Sequence, residues 1–129
     1  MNIEICTEKY TSELLSENQE KIFVFGDNMV RKGKGGQAVI RDCPNAFGIA
    51  TKRYPSMNED AFFSDQRDES DVVMNDLRQL YKLSKSHTIV FPVGGIGTGL
   101  AEMEKRSFAI WSKMNSILKD YFGYVNGAA

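Results

Sequence analysis

The chain has few of the side chains on which metal sites and disulfide frameworks depend. Its 129 residues include two cysteines, Cys6 and Cys43, and one histidine, His87. The cysteines do not form a C-x-x-C pair, and a zinc site would have to take its remaining ligands from carboxylates. Both a metal site and a disulfide are therefore disfavoured, and we expect no cofactor.

An excess of charge of one sign is also absent. The 16 Lys and Arg residues are balanced by 17 Asp and Glu residues, which gives a net charge of −1 and a pI near 5.8. Attraction between a basic surface and phosphates dominates the binding of long nucleic acids. We therefore expect no long nucleic acid as a partner, whereas a small anionic ligand needs only a local site.

Long apolar runs are missing as well. None approaches the roughly 18 residues that a membrane helix needs. Met1 is followed by Asn2, Ile3 and Glu4 rather than by a basic stretch and an apolar core. We expect a soluble, cytoplasmic protein with no membrane partner. A hydrophobic content of 42% is enough for one domain, 1–129, with its own core.

Short apolar segments alternate with segments of helical spacing. Continuous apolar runs at 22–25 and 88–92 are typical of strands that are covered on both faces. Residues 3–6 alternate and predict an edge strand, and residues 47–50 predict a third interior strand. The order of segments predicts an α/β fold with a mostly parallel or mixed central sheet and helices on its faces. The predicted helices lie near 12–18, 36–42, 71–83 and 108–121.

Two glycine-rich segments follow predicted strands. Residues 26–28 and 33–36 come after the strand at 22–25, and residues 94–99 come after the strand at 88–92. In α/β folds ligands lie at the carboxyl ends of strands. Successive backbone N–H groups in such a segment form a nest for a phosphate, to which Thr98 would add a hydroxyl donor. The alternative is that the glycines only permit tight turns between strands and helices.

Neither segment matches a common nucleotide-binding fingerprint. The dinucleotide pattern G-x-G-x-x-G, started at Gly95, needs a glycine where Leu100 stands. A P-loop would end in Gly-Lys-Ser/Thr, whereas Gly99 is followed by Leu100 and Ala101. Both patterns are therefore excluded, and recognition of a ligand by the backbone remains.

Three short motifs resemble those of macro domains, which bind ADP-ribose. They are Phe-Gly-Asp-Asn at 25–28, Gly-x-Gly-Gly-x-Ala at 33–38, and Phe-Pro-x-Gly-Gly-Ile-Gly-Thr-Gly at 91–99. Thr51-Lys52 matches a further element of the small macro-like proteins of bacteria and their viruses. The resemblance covers roughly residues 20 to 115 and implies a three-layer α/β/α fold. The adenine-binding Gly-Asp-Ile/Val motif of the family is replaced by Cys-Thr-Glu at 6–8.

The resemblance implies a role for each matched position. Asn28 would orient the distal ribose and the attacking water, and Asp27 could assist as a general base. The implied function is binding of ADP-ribose or a related nucleotide, with hydrolysis of an ADP-ribosyl linkage or of ADP-ribose 1″-phosphate. An ADP-ribosylated macromolecule is a possible substrate, and a binder that senses or sequesters the nucleotide without chemistry is the alternative. The predicted ligand-binding residues are Gly26, Gly33, Lys34, Gly35, Gly36, Gln37, Thr51, Lys52, Gly94, Gly95, Ile96, Gly97, Thr98 and Gly99.

The polar segment from 51 to 70 is long for a loop in a single domain. Phe62 and Phe63 lie within it, and two interpretations remain open. They could belong to a lid that stacks a base, with Glu59 or Asp60 as acid or base, or they could form an apolar plug that anchors the loop. Asp71 is predicted to cap the helix that follows.

Overall fold

Four parallel strands form the central sheet. In the computed structural model, which describes residues 1–127, they are β1 (Ile3–Cys6), β2 (Lys21–Asn28), β3 (Ala46–Lys52) and β4 (Thr88–Pro92). The strand order is β1-β4-β2-β3, and every pairing is parallel. The predicted α/β class is confirmed, and the sheet is parallel throughout. Residues 128 and 129, which the single-domain prediction included, lie outside the described residues.

Helices cover both faces of the sheet and complete three layers. One face packs against α2 and α4, and the other packs against α1 and a 3-10 turn. A helix within residues 1–127 that is both long and apolar enough to cross a membrane was not found. The helical segments are α1 (Ser12–Ser16), α2 (Arg67–Leu83), α3 (Met103–Arg106) and α4 (Phe108–Phe122), with 3-10 turns at Gly36–Ile40 and Glu59–Ala61.

The apolar run of β2 supplies side chains to both layers. Ile22 and Val24 join the core beneath α2 and α4, whereas Phe23 and Phe25 join the core beneath α1. This division follows from the alternation of side chains along a strand. The central strands β2 and β4 are thereby held on both faces, and their carboxyl ends lie side by side.

Two predicted boundaries were wrong. Residues 26–28 were expected to follow the strand predicted at 22–25, but β2 continues through Asn28, because β3 pairs with it as far as that residue. Helix α2 begins at Arg67 rather than near Asp71. The Glu69 carboxylate accepts the backbone N–H of Gln66 at 2.9 Å, a contact typical of a helix N-terminus, and so starts the helix earlier.

The two phenylalanines of the long loop are buried. Phe62 and Phe63 are 4% and 1% exposed, and the guanidinium of Arg106 lies 3.8 Å from the centre of the Phe62 ring. Neither ring is free to stack on a base. The interpretation of this segment as a stacking lid was therefore wrong, and the apolar plug is the correct alternative.

Candidate ligand-binding site

A cavity of about 690 Å³ opens at the carboxyl ends of β2 and β4. Both glycine-rich segments line it, so they share one site rather than lying at opposite ends of the molecule. Of the predicted site residues, all but Lys34 and Ile96 are in its wall. Those that line it are Gly26, Asp27, Asn28, Gly33, Gly35, Gly36, Gln37, Thr51, Lys52, Gly94, Gly95, Gly97, Thr98 and Gly99.

The two exceptions have other partners. Lys34 forms a surface ion pair with Asp42. The Ile96 side chain is fully buried in the core, and its backbone N–H donates to Oδ1 of Asn126 at 2.7 Å. The prediction that these two residues contact the ligand stays a prediction, and neither of them lines the cavity. An apolar side chain between glycines serves to anchor the segment to the core.

The segment that follows β4 turns through left-handed backbone conformations. Gly95 has φ +87° and Gly97 has φ +76°. A Cβ atom on Gly97 would lie 2.2 Å from Sδ of Met103, so a side chain at this position would have to displace the buried Met103 side chain. Within residues 1–127 the N–H groups of Gly97, Thr98 and Gly99 have no hydrogen-bond partner. Three consecutive amides are thus available at the cavity, as a nest for an anion requires.

Asn126 holds this segment from the far end of the chain. Its Nδ2 donates to the carbonyl of Ile96 at 2.9 Å and to Oδ1 of Asn115 at the same distance, while its Oδ1 accepts the Ile96 N–H. A side-chain amide suits this position because it donates and accepts at once. Sequence reasoning missed Asn126, since no local spacing links it to the glycine segment.

Gln37 joins the two sides of the cavity. Its Oε1 accepts the N–H of Gly26 at 2.9 Å, and its Nε2 donates to the carbonyl of Gly95 at 3.1 Å. One side chain therefore sets the spacing between the end of β2 and the segment after β4. Its amide is used for this bridge, so Gln37 shapes the site more than it offers groups to a ligand.

Asp27 lies in a buried network of ion pairs. Its Oδ1 accepts from the guanidinium of Arg41 at 2.6 Å and from the N–H of Asn28 at 2.8 Å, and its Oδ2 lies 3.3 Å from the guanidinium of Arg31. Arg31 also makes a two-pronged pair with Asp76, at 2.7 and 2.9 Å. Both carboxylate oxygens are engaged by guanidinium groups, which gives Asp27 a structural role. Its predicted role as a general base stays a prediction, and it requires these contacts to be released.

The Asn28 side chain is bonded to its own loop. Nδ2 donates to the carbonyl of Lys32 at 2.8 Å, and Oδ1 accepts the Lys32 N–H at 3.4 Å. The side chain nevertheless contributes to the cavity wall. The predicted role in orienting ribose and water stays a prediction, and it requires the Lys32 contact to be exchanged for a contact with ligand.

The predicted hydroxyl of Thr98 is likewise occupied. It donates to the carbonyl of Gly94 at 2.6 Å, and the Thr51 hydroxyl donates to the carbonyl of Asp27 at 3.0 Å. The predicted contact between the Thr98 hydroxyl and a phosphate stays a prediction, and it requires the Gly94 contact to be exchanged for a contact with ligand. Thr98 braces the segment after β4, whereas Thr51 braces the end of β2.

Comparison with known families gives one match. A family described as "Family of unknown function (DUF7831)" matches residues 5–117. The chain belongs to this family. All residues that line the cavity fall within the matched range, whereas Asn126 lies beyond it. The comparisons with curated proteins and with solved structures found no match.

In this DUF7831 member the cavity carries a local positive charge. Asp27 and Asp76 are balanced by Arg31 and Arg41, which leaves Lys32 and Lys52 in the wall. Sequence reasoning did not single out Lys32. A local excess of cations favours an anionic ligand in a protein whose net charge is −1.

Lys52 lies against the buried plug. Its Nζ is 4.6 Å from the centre of the Phe62 ring and donates to the carbonyl of Ser56. Burial lowers the pKa of its ammonium below the ordinary value, and the nearby Arg106 lowers that pKa further, against the effect of Glu102. Lys52 therefore loses its charge at a lower pH than an ordinary lysine does.

Proposed function

We propose that this protein binds ADP-ribose or a closely related nucleotide in the cavity between the two glycine-rich segments. The observation that carries the proposal is the set of three consecutive amides, those of Gly97, Thr98 and Gly99, that lack partners within residues 1–127. A diphosphate supplies the acceptors that such a set requires. The anion would replace water at these groups.

The size and charge of the cavity support the same ligand class. Its volume of about 690 Å³ lies within the range typical of small-molecule sites. Lys32 and Lys52 in its wall complement the charge of a diphosphate. The two glycine segments offer main-chain groups on both sides, which suits an elongated ligand with sugar and phosphate portions.

The motif resemblance supports ADP-ribose among nucleotides. The segments that resemble the ribose and diphosphate loops of macro domains, 33–36 and 94–99, line one cavity here. Cys6-Thr7-Glu8 replaces the adenine-binding motif of that family. We therefore propose that the diphosphate and distal ribose contribute more to affinity than the base does.

Substitution at Gly99 tests the binding proposal. A Cβ on Gly99 would meet nothing within 4 Å, so both Gly99→Glu and Gly99→Gln should fold. The two side chains are nearly equal in size, but only glutamate places a negative charge beside the amides. By calorimetry we expect Gly99→Glu to weaken ADP-ribose binding at least about tenfold relative to Gly99→Gln. Equal affinity of the two variants, or no heat with the unsubstituted protein, would refute the proposal.

Hydrolysis of an ADP-ribose derivative is the second proposed function. The position of Asn28 in the cavity wall favours it, since this residue matches the water-orienting asparagine of macro domain hydrolases. The pairing of Asp27 with two arginines means that such chemistry would depend on Asn28 and on the ligand's own groups. Chromatography of ADP-ribose 1″-phosphate or an ADP-ribosylated protein, incubated with the protein, would detect turnover. Unchanged product formation by Asn28→Ala would rule out the assigned role, and binding without any product would leave the non-catalytic alternative.

A further inference from the structure

A second concave surface lies between α2 and α4, on the helical layer that faces away from the sheet. This α2–α4 groove has a volume of about 500 Å³ and shares no lining residue with the cavity at the glycine segments. Its apolar lining includes Met74, Leu77 and Ile117. Apolar grooves between two helices are where small molecules and amphipathic helices bind.

The charged residues that line the groove are all cations. Arg78 and Lys82 come from α2, and Lys113 comes from α4. Within residues 1–127 no carboxylate lies within ion-pair distance of any of the three. Asp71 and Asp120 belong to the same helices but do not line the groove. A protein of net charge −1 thus carries a locally basic surface around an apolar strip.

The two tyrosines of the groove pack against each other, and Tyr121 remains 59% exposed. Tyr81 and Tyr121 pack edge to face with ring centres 5.7 Å apart, and Nζ of Lys85 lies 4.2 Å from the centre of the Tyr81 ring. The remaining apolar lining is a mixture of aliphatic and aromatic side chains. Such a lining suits leucine-sized side chains of a peptide, and single-stranded DNA serves as the competing ligand in the test.

We propose that the α2–α4 groove binds an acidic amphipathic helix of a partner protein. The apolar face of that helix would lie on the half-buried Met74 and Ile117, and its glutamates and aspartates would pair with Arg78, Lys82 and Lys113. The charge complementarity identifies the partner as acidic, and the apolar lining between two long helices identifies its form. This partner would bind without blocking the cavity.

The test uses a defined peptide. A fluorescein-labelled helix of 16 residues, with Leu on one face and Glu on the other, is titrated with the whole protein and followed by anisotropy. A scrambled peptide of the same composition lacks the apolar face, and a version with Lys in place of Glu reverses the charge. We expect the acidic amphipathic peptide to bind at least about tenfold more tightly than either control.

Charge reversal locates the binding surface. The double variant Arg78→Glu and Lys82→Glu should lose at least about tenfold in peptide affinity. The matched control, Lys9→Glu and Lys119→Glu, makes the same change in net charge at exposed lysines outside the groove. It should bind the peptide within about twofold of the unsubstituted protein, since neither lysine lines the groove. Circular dichroism confirms that both variants fold.

Several results would overturn the proposal. They are failure of the peptide to bind, equal binding of the scrambled peptide, equal losses in both double variants, or binding of phosphatidylserine vesicles or single-stranded DNA in place of the peptide. A separate titration with ADP-ribose distinguishes this proposal from the proposal of nucleotide binding in the cavity. Amide resonances of α2 and α4 should shift with peptide, and those of 97–99 should shift with nucleotide, so either proposal can fail alone.

Discussion

At the scale of single residues, the geometry of the site depends on one position that favours glycine and on one position that requires a particular side chain. Gly97 is the position that favours glycine, because both its left-handed backbone and the nearby Met103 sulfur disfavour a Cβ atom. Gln37 is the position that requires a particular side chain, because it donates to one cavity wall and accepts from the other. Each makes a separate prediction.

Gly97→Ala should destabilise the protein by about 2–5 kcal/mol. The left-handed conformation costs about 1–2 kcal/mol for a residue with Cβ, and the displacement of Met103 adds a cost of about 1–3 kcal/mol. Urea unfolding measures the change. Gly99→Ala is the matched control, because its Cβ meets open space, and it should leave the midpoint nearly unchanged. Equal midpoints for the two variants would contradict the assigned geometry.

Gln37→Ala should loosen the two sides of the cavity. The loss of two hydrogen bonds to the backbone costs about 1–3 kcal/mol, and the affinity for ADP-ribose should fall about tenfold as the segments separate. Gln37→Glu should not restore affinity, because a carboxylate cannot donate to the Gly95 carbonyl. Gln79→Ala, at an exposed position of α2, serves as control in the same unfolding and calorimetric measurements. A Gln37→Glu variant of full affinity would contradict the bridging role.

At the scale of elements, the free edge of β3 is closed by a pair of side chains. Arg31 lies 3.3 Å from the carbonyl of Gly48, and Asp76 of α2 accepts the N–H of Ala50 at 2.8 Å. Edge strands with open backbone groups invite pairing with other chains. The Arg31–Asp76 pair therefore occupies two backbone groups of β3 that a neighbouring strand would otherwise bind.

Asp76 at this edge makes the free energy of unfolding depend on pH. Burial raises the pKa of Asp76, and the hydrogen bond from Ala50 and the charge of Arg31 offset this only in part. A carboxyl whose pKa is higher in the folded state binds its proton more tightly there, so its contribution to stability falls as pH rises from the unfolded to the folded pKa. Relative to Asp76→Asn, the unsubstituted protein should therefore gain stability as the pH is lowered through that window. Urea unfolding at several pH values measures the difference, and a constant or opposite difference would refute this account.

Strands were easier to predict from the sequence than their ends. The runs 22–25 and 88–92 stand out because both faces of a central parallel strand are covered. The extension of β2 through Asp27 and Asn28 was not predictable locally, since both residue types favour turns. Their strand conformation follows from pairing with β3, and Asp27 is also held by Arg31 and Arg41, and all of these contacts form only in the folded chain.

At the scale of the whole molecule, the sharing of one cavity by the two glycine segments followed from topology. Parallel strands place their carboxyl ends at one edge of the sheet, and the order β1-β4-β2-β3 makes β2 and β4 neighbours. The α2–α4 groove could not be anticipated in this way. The groove depends on how α2 and α4 pack against each other, and the hydrophobic periodicity of a single helix does not predict that packing.

A ligand that joins β2 to β4 should stabilise the whole fold. Binding to the folded state alone adds about 2.7 kcal/mol when ADP-ribose is present at about 100 times its Kd. For a domain of this size that corresponds to a rise in Tm of roughly 6–15 °C. Differential scanning fluorimetry with ADP-ribose, ADP, AMP and NAD would rank the ligands. A rise with AMP as large as that with ADP-ribose would contradict the emphasis on the diphosphate and distal ribose.

The central claim is that backbone amides at the end of β4 hold the diphosphate. The most direct measurement is a titration of the ¹⁵N-labelled protein with ADP-ribose, followed by the resonances of the amide groups. We predict saturable downfield shifts of the Gly97, Thr98 and Gly99 amide protons, since hydrogen bonding to phosphate oxygens deshields them. Saturable shifts elsewhere that leave these three resonances in place, or no shifts at all, would contradict the account.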